Sequence, residues 1–410
     1  MSSLRATELR TGAAGCRRHQ WCVVGLLTLH ALLVAWAACR HSPTVDEVGH
    51  LPAGISHWKF RQFPLYKVNP PLVRMVAAVP VLLSNPELEW HAHFSDPFER
   101  PEFLIGREFI EINGLRTFQL FTWARWACLP FTLLGGYFCY RWAHALYGEA
   151  AGVLACAMWC FSPNIVAHAQ LITPDVGATA VGLAACYFFR SWLNVPSWGR
   201  ALLVGIMLGL TLLTKFTWIV LIPVWPTLWV AIRLANRQGC SARQIATELA
   251  QLISLFLVGL YVLNLGYGFE GSGRRLGDYE FISPTLSGQV TRVTGNRFRD
   301  SMWGSLPVPL PENCVLGVDY QKCEFDQRQW SYLAGEWRLG GWWYYYLYAM
   351  AIKMPLGTWL LLLLAGVSAV CSRRYCASWR DELQILLTTV SVAVYGWAVL
   401  AGWLGGSARD

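Results

Sequence analysis

The sequence predicts an all-α polytopic membrane protein, and three observations carry that prediction. Hydrophobic residues make up 55% of the chain and charged residues only 14%. Apolar runs close to the roughly 20 residues that cross a bilayer recur from end to end. Basic residues gather in short segments between alternate runs, the pattern of a positive-inside topology. The formal net charge of +8 would suggest nucleic acid in a soluble chain; here it reports orientation, and no nucleic-acid partner is expected. Arginine outnumbers lysine 28 to 5, which points to a GC-rich, bacterial genome. The 13 Cys form no CxxC pair and no zinc-spaced cluster, and most sit in apolar runs as small hydrophobes. Cys314 and Cys323 fall in a polar loop, where an oxidising compartment would allow a disulfide.

Arg5, Arg10, Arg17 and Arg18 precede the run of residues 21 to 39, which places the N-terminus in the cytoplasm and makes the first span lead out. Trp36-Ala37-Ala38-Cys39 loosely matches a lipoprotein cleavage site, but Trp at its first position favours an uncleaved helix. Residues 41 to 117 are too polar to span and form a first extracytoplasmic loop. Pro52, Pro64, Pro70 and Pro71 are expected to break it into short pieces, and Trp58, Phe60, Phe63 and Tyr66 suit helices lying at the membrane interface. His91, His93 and Asp96 could ligate a metal, but an HxH in a proline-bounded loop is expected to face water instead. No cofactor is expected, with a divalent cation left open.

Further spans are expected at residues 118 to 140, 149 to 163 and 176 to 193. The run 201 to 232 is long enough for two, divided at Leu213-Thr214-Lys215-Phe216-Thr217 with Lys215 at the tip of an outside hairpin. A span over 246 to 266 leads to a second large extracytoplasmic loop, 267 to 341, too long to be only a connector. The last spans are 342 to 370, interrupted at Lys353-Met354-Pro355 with Trp342 and Trp343 as belt residues, and 384 to 404, with Arg373, Arg374 and Arg380 between them. That makes about nine spans in one transmembrane domain covering residues 1 to 410, with no internal repeat.

The chemistry concentrates in Pro43-Thr44-Val45-Asp46-Glu47-Val48-Gly49-His50, just past the first span. Adjacent carboxylates beside a membrane helix end are costly unless they meet water, a cation or a substrate. Thr44-x-x-Glu47 is also a capping box, so Glu47 has two readings. Asp46 is not needed for the box and stays available for reaction, kept ionised by helix-start N–H groups. Asp175, after Pro174, suits a charge at a helix start. Lys215, flanked by apolar residues, either snorkels or meets an anion such as a phosphate. The predicted topology brings Asp46, Asp175 and Lys215 to one membrane face.

Asp46-Glu47, Asn69-Pro70-Pro71-Leu72, Ser162-Pro163-Asn164 with Thr173-Pro174-Asp175, and Leu213-Thr214-Lys215-Phe216 together resemble the glycosyltransferase family 39 membrane enzymes, which include protein O-mannosyltransferases and aminoarabinose transferases of lipid A. Tyr332-Leu333-Ala334-Gly335-Glu336, Gly341-Trp342-Trp343-Tyr344-Tyr345 and Lys353-Met354-Pro355-Leu356 resemble uncharacterised bacterial members of that group. The resemblance covers residues 40 to 372. It implies a GT-C fold and transfer of a mannose-like sugar, with inversion, from a polyprenyl-phosphate donor to an acceptor hydroxyl on a protein, lipid or glycan. On that resemblance Asp46 is the general base with Glu47 beside it, Asp175 the second acid and Lys215 the cation at the donor phosphate. Asn69, His50 and Lys353 are placed as substrate-loop candidates. The implied location is the inner (plasma) membrane, with the active site extracytoplasmic. Family members usually continue past the point where this chain ends at Asp410, so it reads as a C-terminally shortened form. The alternatives are a transporter or flippase of a lipid-linked sugar and an inactive remnant of the transferase; acidic groups at helix ends rather than at the midplane of paired helices favour the transferase.

Overall fold

In a bilayer every backbone polar group has to be satisfied within its own segment, which leaves helix as the solution for these apolar runs. The computed structural model describes residues 2–90, 98–235, 241–289, 293–326 and 330–371, and helix dominates them. In chain order the helices are α1 (Ser2–Arg40), α2 (Val45–Phe60), α3 (Leu72–Leu83), α4 (Pro101–Asn113), α5 (Arg116–Ala127), α6 (Leu129–Tyr147), α7 (Glu149–Cys160), α8 (Pro163–Ala169) and α9 (Pro174–Asn194). They continue as α10 (Trp198–Leu212), a 3-10 turn (Phe216–Val220), α11 (Leu221–Ala235), α12 (Ala242–Gly266), α13 (Pro284–Ser287), α14 (Glu312–Asp326), α15 (Tyr345–Lys353) and α16 (Leu356–Cys371), with a two-stranded hairpin between α14 and α15.

Four described helices are long and apolar enough to cross a membrane: His19–Arg40, Pro174–Asn194, Phe216–Leu234 and Ala242–Gly266. Counting each of two bent pairs as one span raises this to six. The chain is an all-α multi-pass membrane protein. The expected spans differ from these mainly where proline intervenes. The run 118 to 140 forms as α5 and α6, which meet at Cys128, with Pro130 in the first turn of α6 offering no N–H to continue the ladder. The span expected over 149 to 163 is α7 and α8, bent by 56° before Pro163. In the stretch 342 to 370 the break falls at Met354, extended at ψ 133 as a residue before proline prefers, and α15 and α16 diverge by 101°. The expected span 201 to 213 is the shorter apolar helix α10, and the span 384 to 404 lies outside the described residues.

Pro52 does not break its segment, contrary to expectation: α2 runs through it from Val45 to Phe60. Proline removes only the bond to the carbonyl four residues back, that of Val48. Gly106 of α4 packs on that carbonyl so closely that a Cβ there would lie 2.1 Å from Val48 O.

The described residues group into two compact units. The first comprises residues 2–55, 73–90 and 102–190. One part of its core joins Leu51 and Ile55 of α2 to Val73, Ala77 and Val81 of α3, Phe109 of α4, and Leu120, Phe121 and Ala124 of α5. Another packs Val23 and Val34 of α1 against Cys156, Trp159 and Cys160 of α7. Buried His30 ties these helices, with Nδ1 2.8 Å from Cys160 O and Nε2 2.8 Å from Thr132 Oγ1 of α6.

The second unit comprises residues 56–72, 98–101 and the described residues from 191 to 371. Gly205 and Gly209, one turn apart on α10, let α12 approach until added Cβ atoms would lie 2.6 Å from Leu255 O and 2.7 Å from Gly259 O, the small-residue packing that membrane helices use. The second large loop is folded around α14. Buried Asp319 accepts from Ile282 N–H at 2.7 Å and Ser283 N–H at 3.1 Å. Cys314 and Cys323 are both free thiols on α14. Nine positions of helix separate their Cα atoms by about 13.5 Å, roughly twice what a disulfide tolerates, so the proposed pairing does not occur.

Candidate active site

The chain leaves α1 at Arg40, turns through His41 to Thr44 and enters α2 at Val45. A turn between two helix ends leaves carbonyls without intrahelical partners on one side and N–H groups on the other. One side chain answers most of that need. Arg125, near the end of α5 and 1% exposed, donates through Nη1 to Ala38 O (2.9 Å) and His41 O (2.7 Å) and through Nη2 to Ser42 O (3.0 Å). Its Nε and Nη2 reach Glu47 Oε1 (2.8 Å) and Oε2 (2.7 Å), a bidentate pair. All five guanidinium donors are used, and the cation sits where the α1 dipole favours it.

Glu47 is fully buried. Its Oε2 also accepts from Thr44 N–H (2.9 Å) and the Thr44 hydroxyl (3.1 Å), and its Oε1 from Ile172 N–H (3.1 Å). The bond from Thr44 N–H is half of the capping box foreseen from Thr44-x-x-Glu47. Five donors on two oxygens hold this carboxylate in place.

Asp46, the neighbour of Glu47 in the first turn of α2, is exposed and makes no hydrogen bond or ion pair among the described residues. The bond from Ile172 to Glu47 ties the loop before α9 to this helix start. Asp175 follows three residues later in the first turn of α9, half exposed, with Oδ2 3.8 Å from His168 Nδ1. His41 Nδ1 lies 2.8 Å from Gln170 Oε1, a second tie between the two loops. Around the α1–α2 corner the first unit thus gathers Asp46, Asp175, His168, His41 and Gln170. An accessible carboxylate at a helix N-terminus is a competent proton acceptor. His50, one turn after Asp46, is buried inside α2 rather than on a loop.

Lys215 and Asn69 belong to the second unit. Lys215 is half buried, extended at φ −156 between α10 and the 3-10 turn. Leu72 N–H donates to Leu213 O at 3.1 Å, so the Asn69-Pro70-Pro71-Leu72 and Leu213-Thr214-Lys215-Phe216 motifs meet. Helix α14 closes over them: Gln321 Nε2 donates to Val68 O at 2.6 Å, and Gly317 sits so close that a Cβ would lie 2.3 Å from Lys67 O and 2.9 Å from the Phe216 ring. Nearby Glu270 accepts from Phe63 N–H (3.0 Å) and Asn313 Nδ2 (3.1 Å). Burial raises its pKa above the ordinary glutamate value, against those two hydrogen bonds; Glu312 adds to the rise and Lys67 opposes it. Lys353 is exposed in the last turn of α15.

Sequence reasoning passed over Arg125. The signal was present, since an arginine in the aromatic run Phe121-Thr122-Trp123-Ala124-Arg125-Trp126 demands a partner. It also passed over Glu270 and His168. His91, His93 and Asp96 lie outside the described residues, and among the described residues no three His, Cys, Asp or Glu side chains gather to hold a metal ion.

No curated protein matches the chain. Residues 115–262, just over a third of the chain, match the family model described as dolichyl-phosphate-mannose-protein mannosyltransferase. The matched segment holds Arg125, Asp175 and Lys215 and stops short of the Asp46-Glu47 pair on one side and the second large loop on the other, and it supports a membrane glycosyltransferase of the GT-C type.

Proposed function

We propose that the protein transfers a mannose-like sugar, with inversion, from a polyprenyl-phosphate donor to a hydroxyl on an acceptor outside the cytoplasm. The observation that carries this reading is the α1–α2 corner, where a buried Glu47–Arg125 pair fixes the helix start and leaves Asp46 exposed beside it. Asp46 takes the acceptor proton as the hydroxyl oxygen attacks the anomeric carbon. The bond from that carbon to the phosphate oxygen breaks, and polyprenyl phosphate leaves. Glu47 positions the base, and Asp175, beside His168, is the second acid. Lys215 is assigned to the leaving phosphate, whose negative charge grows in the transition state. Asn69 and Lys353 remain candidates for substrate contact, and His50 supports α2 from inside. The reading places these groups on the outer face of the inner membrane.

The test supplies purified protein in vesicles with a polyprenyl-phosphate sugar and an acceptor. Release of polyprenyl phosphate with sugar on the acceptor is expected. Transfer from a nucleotide sugar without lipid carrier would refute the donor assignment. Movement of unaltered sugar-lipid across the bilayer would favour a flippase, and no turnover with any acceptor an inactive remnant.

A further inference from the structure

The second large loop ends in a β-hairpin. Strand β1 (Trp330–Leu333) pairs antiparallel with β2 (Glu336–Leu339), with Trp330 opposite Leu339, Ser331 opposite Arg338, Tyr332 opposite Trp337 and Leu333 opposite Glu336. Ala334 and Gly335 close it at φ 51 and 93, the left-handed two-residue turn whose twist suits a hairpin. Side chains alternate along a strand and match across a pair, so Trp330, Tyr332, Trp337 and Leu339 share one face. Ser331, Leu333, Glu336 and Arg338 take the other.

The first face is apolar throughout and uncovered. Trp330 is 64% exposed, Tyr332 53%, Trp337 67% and Leu339 46%, and the Tyr332 and Trp337 rings lie 5.2 Å apart. A contiguous aromatic patch of this kind marks a binding surface. What covers it follows from the chain itself. Gly340 and Gly341, both at positive φ, lead into Trp342, Trp343 and α15, where Trp343, Tyr346, Leu347 and Ile352 are exposed. Then comes α16, with exposed Leu356, Leu360, Leu362 and Leu363, the apolar arm of a bent pair that passes as one membrane span. Along this exposed strip Trp and Tyr give way to Leu, the order in which a bilayer passes from headgroups to hydrocarbon.

We propose that the aromatic face of the hairpin is a membrane-interface anchor, lying in the headgroup layer of the bilayer that α16 enters. Indole N–H and phenol O–H groups meet headgroups and ester carbonyls there while the rings rest on the upper acyl chains. Glu336 and Arg338, on the opposite face, stay in water. The occupant is lipid because the exposed strip is continuous with α15 and α16, a bent pair apolar and long enough together to enter a membrane. Docking also supports a two-stranded hairpin that is marginal alone.

The test uses full-length protein, freed of its native Cys, in phosphatidylcholine–phosphatidylglycerol vesicles. An NBD fluorophore is attached to single cysteines at Trp337→Cys and Tyr332→Cys on the aromatic face, and at Arg338→Cys on the other. Each labelled protein is first shown to keep the thermal midpoint of the unlabelled one in detergent. Labels at 332 and 337 should emit to the blue of the label at 338, be quenched several-fold more by lipids with a nitroxide near the headgroup, and resist aqueous iodide. Equal iodide quenching at all three positions would overturn the anchor. Protection at 332 and 337 that appears only with added soluble oligosaccharide would also overturn it, since the face would then be a sugar platform.

Discussion

Replacing Arg125 with methionine removes a cation from a place where nothing else can serve. Glu47 is fully buried and Arg125 is its one charged partner among the described hydrogen bonds, so the variant leaves an unpaired carboxylate in the protein interior. Breaking a buried pair by deleting one member costs about 3 to 5 kcal/mol. The same change frees the carbonyls of Ala38, His41 and Ser42 at the end of α1, at about 1 kcal/mol each where water cannot reach them. Arg125→Met should therefore destabilise by at least about 3 kcal/mol. Arg125→Lys should fall between, because an ammonium keeps the charge but offers three donors in no fixed plane. The assay is denaturant unfolding in detergent, run as a double-mutant cycle with Glu47→Leu. The double variant should be more stable than Arg125→Met alone, since the orphaned carboxylate is gone. A coupling below about 0.5 kcal/mol between the two sites, or Arg125→Met with wild-type stability, would refute the view that this pair organises the corner.

Asp46→Asn should stay in the membrane with normal stability and lose roughly 10² to 10⁴ in transfer rate, measured as release of polyprenyl phosphate, whereas Glu47→Gln should lower stability as well because the Arg125 fork then faces a neutral amide. Lys215→Met should lower kcat more than it raises KM in steady-state transfer assays, since a leaving phosphate gains charge only in the transition state. Glu270 has a folded-state pKa raised by burial, so the folded protein binds more protons than the unfolded one and stability falls as pH climbs from about 4.5, the ordinary glutamate value, to the raised one; Glu270→Gln should flatten that slope in unfolding curves taken across the window. A cysteine at exposed Ser305, in a background freed of native Cys, should react with an impermeant thiol reagent in intact cells, and reaction only after lysis would reverse the assigned orientation.

Length, apolarity and the spacing of basic residues determined the class of this protein, because crossing a bilayer leaves a mark that composition alone reports. The break at Lys215, the start of α2 after Thr44 and the start of α9 at Pro174 were equally legible, since caps, prolines and polar interruptions act within a few residues of the element they bound. The effect of a proline was harder to place, inside the expected spans and outside them. Pro52 and Pro130 are the same residue type, yet α2 continues through the first and α6 starts beside the second, because neighbouring packing decides whether the lost bond is tolerated. The sequence separated Asp46, free of the capping box, from Glu47, which it left with two readings; what it did not show is the partner that holds Glu47. Asp46 and Glu47 are adjacent and chemically alike, and that partner is an arginine 78 positions away from Glu47. The approach of α5 to the α1–α2 corner buries one carboxylate in a fork of hydrogen bonds and leaves the other in the open. Only the tertiary structure could decide that, because desolvation and pairing depend on which side chains arrive at a site from distant parts of the chain.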